Sequence, residues 1–490
     1  MFLNKLRSIA IAKSYISGKQ SLVVGILVFS VSCVNVGSYG YLDDYSNVWD
    51  FKHNIMAGLQ MSFGQGRPLL GLVVLLIFFP IQSINQLIFI HLLSSLCLGL
   101  LGFTIHKILS YANENSRNFS DFTIFWMSAA PLLGTTGFMI FGAWCSEFPA
   151  LLCMTLGSYG VLLILKKPTS PKGYVIIGIN LLAYQPNFIL LVLLFITSQI
   201  IYISNSQNEG AKLIRFLNRS SVTVISICFL VELTCLEIGK KLNFITGARS
   251  HFTSNYYEKY QWFIHSEIPR ILNFLVPWQP VGFVVLMSVV LLSVFGIIIF
   301  CWKSTSIKKS LLLITFGLLF SVSPNLLSAE NWASSRSILA PQWFIMMLVS
   351  VPILKTLGRI AKLPIGTFTL SIIIVTLLSL NYYNINYLNF RAPQERELKI
   401  VRAFLTVSRC EQVKFVTQSA WTDTLSPRFS FDEYGIPSTT PPWVPVPLTK
   451  EICLEKGVKV KSLLLSSTVS QLGTSEVVDY HQLLIRAKKK

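Results

Sequence analysis

The chain has 490 residues, of which 52% are hydrophobic and only 13% charged. Soluble globular domains carry about 25% charge, so this composition excludes an ordinary water-soluble protein and points to a membrane one. The formal net charge of +19 does not mark a nucleic-acid binder, because the lysines and arginines gather in short loops between apolar runs, the pattern of cytoplasmic loops in membrane proteins.

Lys5, Arg7, Lys13 and Lys19 precede the first apolar run, Ser21 to Gly40. No small-residue cleavage site follows a short apolar core, so the run reads as a retained helix that leads outward. At its far end stands Tyr41-Leu42-Asp43-Asp44-Tyr45, two adjacent carboxylates where a helix leaves the bilayer. Adjacent acids repel, so in a partly buried setting one pKa rises and that group suits proton transfer. A solvated loop that merely ends a helix would have the same composition. Gly66-Arg67-Pro68-Leu69 restarts apolar sequence. Pro68 to Pro80 is too short to span, since a spanning helix needs about 20 apolar residues, and it is expected to lie at the outer interface with Arg67 at its mouth.

The next spans are read at 84–108, 121–141 and 148–165, ending on Lys166, Lys167 and Lys172. A helical hairpin follows at 173–203, broken at Tyr184-Gln185-Pro186-Asn187 and counted as two short spans so that Lys212, Arg215 and Arg219 stay inside. Spans at 220–238, 280–302, 310–328, 337–354 and 363–383 complete the membrane part. The sum is about eleven spans with the N-terminus cytoplasmic and the C-terminus outside, and each lysine- or arginine-rich short loop falls on the inner side. Residues 1–383 thus form a polytopic helical domain whose outer loops are 41–83 and 239–279. In 384–490, the Val- and Leu-rich stretches 412–418, 458–467 and 477–485 read as strands of a small α/β outer domain.

Of nine cysteines, six lie in apolar runs and read as small core hydrophobes, and no CxxC or His/Cys cluster suggests zinc. Cys410 and Cys453 fall in the polar tail, where an oxidising compartment would let them pair. With this topology, outer acids are scarce. Glu147, between Trp144 and Phe148 at a membrane boundary, is costly there unless paired or functional. Among the outer bases, Arg67, Arg249 and Arg336 suit the phosphate of a lipid-linked donor, because guanidinium pairs bidentately with phosphate oxygens, although each could equally meet ordinary lipid. Trp144, Tyr184 and Gln185 are candidates for contact with a sugar, and the aromatics also fit an ordinary interfacial belt.

The order of these features resembles the GT-C membrane glycosyltransferases, which use polyprenyl-phosphate sugars. Within that fold the chain looks most like the serotype-converting O-antigen glucosyltransferases (Gtr type II). Leu42-Asp43-Asp44, Gly66-Arg67-Pro68-Leu69, Ala183-Tyr184-Gln185, and Arg336 with Pro341 carry the likeness; the tail is matched only in layout. The resemblance implies a fold of GT-C type and transfer of glucose from undecaprenyl-phosphate glucose to the O-antigen of lipopolysaccharide, on the periplasmic side of the bacterial inner membrane. It implies a base from Asp43 or Asp44 with Glu147 as a further acid, inversion at the anomeric carbon, and arginines on the departing phosphate. No resident cofactor is implied; a divalent cation held by Asp43, Asp44 and Glu147 is compatible but not required. A lipid-glucose flippase and a cytoplasmic-side glucosyltransferase are the expected partners. The rival readings are an O-antigen polymerase and a lipid-linked sugar flippase or other transporter, which would carry more charge inside its spans and related halves.

Overall fold

The computed structural model describes residues 18–116, 119–203, 219–242, 244, 252–273, 283–302, 307–331, 334–360, 364–406, 410, 412–416, 438–439, 441, 443–460, 462–466 and 477–479. These residues are overwhelmingly helical. Nine helices are long and apolar enough to cross a membrane, or ten if one bent pair is taken as a single span. Their exposed side chains are large and apolar, among them Leu291 and Phe295, Phe316 and Leu319, and Phe368 and Leu377. Such surfaces are stable only against lipid, so the chain is embedded in a membrane.

The first span, α1 (Gly18–Asn35), packs on α5 (Leu87–Ser116). Gly25 and Gly99 make this approach possible: a Cβ on Gly99 would come within 2.8 Å of the Gly25 carbonyl oxygen, the close backbone contact that small residues allow between membrane helices. Between them run α2 (Asp43–His53), α3 (Ile55–Gly64) and α4 (Pro68–Phe78). Helix α4 is the short apolar helix expected there. Gly66 takes a φ of +72°, and Pro68 opens the helix where no amide hydrogen is needed.

The bent pair is α6 (Asp121–Gly134) and α7 (Thr136–Ala143), which meet at 63° across extended Thr135. Pro131 lies four residues before Thr135 and removes a bond from the last turn of α6. After α8 (Phe148–Lys166), the segment read as a hairpin is two helices, α9 (Pro171–Ala183) and α10 (Gln185–Ile203), parted at Tyr184. A Cβ on Gly160 would lie 3.0 Å from the Gly173 carbonyl oxygen and one on Gly157 2.5 Å from the Asn180 amide nitrogen, so α8 and α9 run antiparallel. Asn187 donates to the Ala150 carbonyl at 2.6 Å, returning α10 beside the start of α8. Helix α9 is only 13 residues long, too short to count as a full span. This shortfall and the bend at Thr135 account for the difference between eleven expected spans and nine or ten observed.

The rest of the bundle comprises α11 (Arg219–Lys241), the short α12 (Tyr256–Trp262) and α13 (Ile268–Leu272) joined by a π turn, α14 (Phe283–Trp302), α15 (Ile307–Leu327), α16 (Leu339–Ile360) and α17 (Pro364–Tyr382). A π-helical segment, Tyr383–Arg391, joins α17 to α18 (Ala392–Phe404), and Ile365–Phe404 forms one helix of 40 residues. The boundary drawn at residue 384 therefore falls inside a helix. The polar stretch keeps helical periodicity and buries Gln394, Glu397, Leu398 and Val401 on one side.

Beyond it, β1 (Gln412–Val416) lies between β2 (Ser462–Ser466) and β3 (Val477–Asp479), and all three are parallel. Gln412 pairs with Ser462, and Lys414 with Val477. Helix α19 (Pro445–Glu455) lies between β1 and β2 in the chain, as a parallel crossover requires. A disulfide joins Cys410 to Cys453, both fully buried. A Cys410→Ser/Cys453→Ser chain should lose about 2–4 kcal/mol in this region. The loss is read as faster limited proteolysis between residues 405 and 460, with the membrane helices unaffected.

Candidate active site

Successive helical residues are 100° apart, so neighbours in sequence can face opposite environments. In α2 this separates the two aspartates. Asp44, Tyr45, Val48 and Phe51 are buried, whereas Asp43, Ser46, Trp49, Asp50 and His53 lie on the other side. Leu42 initiates the helix with a φ of +44°, the single non-glycine residue with positive φ among those described. Such backbone persists only where surrounding contacts enforce it. Here the Tyr41 amide donates to Asp44 Oδ2 at 2.8 Å and the Leu42 amide to Ser438 Oγ at 3.2 Å.

Asp44 joins this first loop to a second one. Its Oδ1 accepts from the Ser146 amide at 2.6 Å and from Ser146 Oγ at 2.5 Å, and Asn47 also donates to Ser146 Oγ at 2.9 Å. Ser146 is the middle residue of a 3₁₀ turn, Cys145–Glu147, which Phe148 and Pro149 convert into α8. Burial, opposed by the bonds from Ser146 and Tyr41, raises the Asp44 pKa to about 7, and Asp43 adds the smallest upward push. Repulsion between the paired acids, the effect expected from the sequence, is thus minor, because Asp43 faces away.

Glu147, next on the same turn, forms an ion pair with Arg336. The Arg336 guanidinium lies 4.3 Å from the centre of the Trp144 ring, and Tyr41 packs edge-on to that ring at 5.1 Å. Asp44, Trp144, Glu147 and Arg336 are therefore gathered around one turn. A second group forms around Arg67, whose Nε donates to Gln185 Oε1 at 3.0 Å and whose guanidinium sits 4.7 Å from the Tyr184 ring centre. Gln185 in turn donates to Glu232 at 2.7 Å. Phe141 of α7 meets the Tyr184 ring edge-on at 6.1 Å, linking the Arg67 group to the helix that leads into Trp144. Arg249 lies outside the described residues.

The tail reaches the same place. Trp443 Nε1 donates to Asp43 Oδ1 at 3.0 Å, and Ser46 Oγ donates to the Trp443 carbonyl at 3.5 Å. Lys52 pairs with Glu451 of α19 at 2.8 Å. Among the described residues no three His, Cys, Asp or Glu side chains converge as a metal site. Ser146 and Trp443 escaped the sequence reading. Ser146 lies inside the Trp144–Phe148 stretch that drew attention to Glu147, whereas nothing local to Trp443 pairs it with residue 43.

The chain matches no protein-family model and no curated protein.

Two tests follow from this geometry. Ser146→Ala removes a donor from a buried carboxylate and should cost about 1–3 kcal/mol in unfolding experiments. The unfolded chain releases the Asp44 proton near 3.8 and the folded chain near 7. Protonated Asp44 therefore favours the fold at low pH, and that contribution is lost as the pH rises through 7. Melting curves from pH 4 to 8 should show the wild type losing stability relative to Asp44→Asn across this window.

Proposed function

We propose that the chain is a membrane glycosyltransferase of GT-C type. It moves glucose from undecaprenyl-phosphate glucose to the O-antigen of lipopolysaccharide on the periplasmic side of the inner membrane. The observation that carries this reading is the seating of the Asp43–Asp44 loop on the turn whose Glu147 pairs with Arg336. An acid, a cation and aromatic rings meet there at the end of the bundle opposite Lys166, Lys167 and Lys172. Positive-inside bias puts those lysines in the cytoplasm and the acids outside. The buried Cys410–Cys453 bond agrees, because disulfides persist in oxidising compartments.

Asp43 is the base. It is partly exposed on the outward face of α2, whereas Asp44 has no exposed surface and accepts bonds from Tyr41 and Ser146. Asp44 thus positions and Asp43 reacts. The acceptor hydroxyl gives its proton to Asp43 as its oxygen attacks the anomeric carbon, and the bond to the lipid phosphate breaks with its electrons going to the phosphate oxygen. One displacement inverts the configuration. Arg336, oriented by Glu147 and Trp144, and Arg67, oriented by Gln185 and Tyr184, receive the charge that develops on the phosphate. The tail beyond α18 is the acceptor-facing outer domain.

Membranes carrying the full chain, supplied with undecaprenyl-phosphate glucose and O-antigen, should form a hexosylated product visible by mass spectrometry. Asp43→Asn should reduce the rate by about 10²–10⁴-fold, the usual contribution of a general base, at unchanged expression. Unchanged transfer in that variant would remove the assignment. Arg336→Ala should instead destabilise the protein by about 3–5 kcal/mol, because it leaves Glu147 buried and unpaired; thermal unfolding of Arg336→Ala and of Arg336→Ala/Glu147→Gln, which restores much of the loss, checks this.

A further inference from the structure

Trp443 stands apart from the other large aromatic residues around the site. Trp144, Tyr41 and Tyr184 are buried, whereas Trp443 is 48% exposed. It is nevertheless fixed, through its ring N–H on Asp43 and its carbonyl accepting from Ser46. An exposed indole held rigid by a hydrogen bond to an acid presents a flat apolar face with polar groups at its edge.

The rest of that surface has the same character. Along the outward side of α2, Ser46, Asp50 and His53 continue from Asp43, and His53 stacks on Trp49 with ring centres 3.8 Å apart. Lys450 of α19 lies 5.3 Å from the Trp49 ring centre. Rings alternate here with single donors and acceptors of both signs. A phosphate would require converging cations, and an acyl chain would require continuous apolar surface; among the described residues of this seam neither is present. A neutral saccharide fits, because each pyranose has an apolar C–H face to lay on a ring and a rim of hydroxyls to bond beside it.

We propose that this seam between α2 and the tail, centred on Trp443, binds the acceptor saccharide and delivers its hydroxyl to Asp43. The proposal rests on the glycosyltransferase reading for the identity of its ligand. It makes Trp443 serve twice: the ring stacks on the sugar, and the N–H orients the base. The two roles separate by substitution. Trp443→Phe keeps an aromatic face and loses the N–H, so kcat should fall with little change in the acceptor KM. Trp443→Ala loses both, so the acceptor KM should also rise at least tenfold while the KM for undecaprenyl-phosphate glucose stays put.

Binding is tested without turnover by saturation-transfer NMR. The full chain in nanodiscs is titrated with O-antigen polysaccharide released from the host lipopolysaccharide by mild acid. The wild type and Trp443→Phe should bind, and Trp443→Ala should bind at least tenfold more weakly. Intact Cys410–Cys453 pairing on a non-reducing gel reports that each variant's tail has folded. Equal affinity of the wild type and a folded Trp443→Ala chain would overturn the proposal, as would an unchanged acceptor KM in that variant. Saccharide binding lost in Trp443→Ala, but with no hexosyl transfer by the wild type, would keep the binding site and remove the enzymatic reading.

Discussion

The Asp44 carboxylate is the joint on which the acid end of this molecule depends. A charge with no exposed surface is tolerated only when donors surround it, and three converge on Asp44, from Tyr41 and twice from Ser146. The Tyr41 bond closes the turn that starts α2 in spite of the positive φ at Leu42. The Ser146 bonds fasten that turn to a loop 102 residues away. Together with the Asn47 bond to Ser146 Oγ and the Tyr41–Trp144 ring contact, they fix the first loop against the Glu147–Arg336 pair. Burial raises the pKa to about 7, so the joint is assembled close to the limit at which a carboxylate stays ionised.

The tail is attached by the same device. Glu397 of α18 is buried and accepts from the amides of Ser438 and Thr439 at 2.8 and 2.9 Å and from Thr439 Oγ1 at 2.5 Å. Gln394 accepts from Ser438 Oγ at 2.7 Å. The Ser438 hydroxyl also receives the Leu42 amide, so one serine bridges the last long helix and the first residues of α2. The two buried carboxylates thus form a relay from α18 through residues 438–439 to Leu42, and from Asp44 onward to Ser146. Exposed ion pairs such as Arg402–Glu455 lie at the edge of this arrangement and add little by comparison.

What could be read from sequence was whatever a short window contains. Apolar length placed the spans, the Pro68–Pro80 stretch announced a helix too short to cross, and Tyr184-Gln185-Pro186 marked the break between α9 and α10. Valine- and leucine-rich runs located the three strands. The errors have a common origin in tertiary geometry. The bend falls at extended Thr135, and α9 stops at 13 residues where Tyr184 takes extended backbone. Asp43 and Asp44 look equivalent as neighbours in a string, yet one helical step divides them between solvent and core. Ser146 and Trp443 act through partners 102 and 400 residues distant, and no local pattern encodes such pairings.

The Glu147–Arg336 pair shows how a charged group is secured before any ligand arrives. Lysine in place of Arg336 would give its charge to Glu147 alone. Guanidinium has a planar fork with five donors, so one edge can hold the carboxylate while its face rests on Trp144. Arg67 is built alike, with Nε committed to Gln185 and its face on Tyr184. In each case an acid or amide and an aromatic ring restrict the arginine before any ligand arrives. Binding then costs less side-chain entropy, and the cation meets developing charge without reorganising. The cost is paid in folding, through buried groups such as Glu147 and Glu232 that depend on these arginine-centred contacts. That coupling makes the site's electrostatics and its stability a single property of the fold.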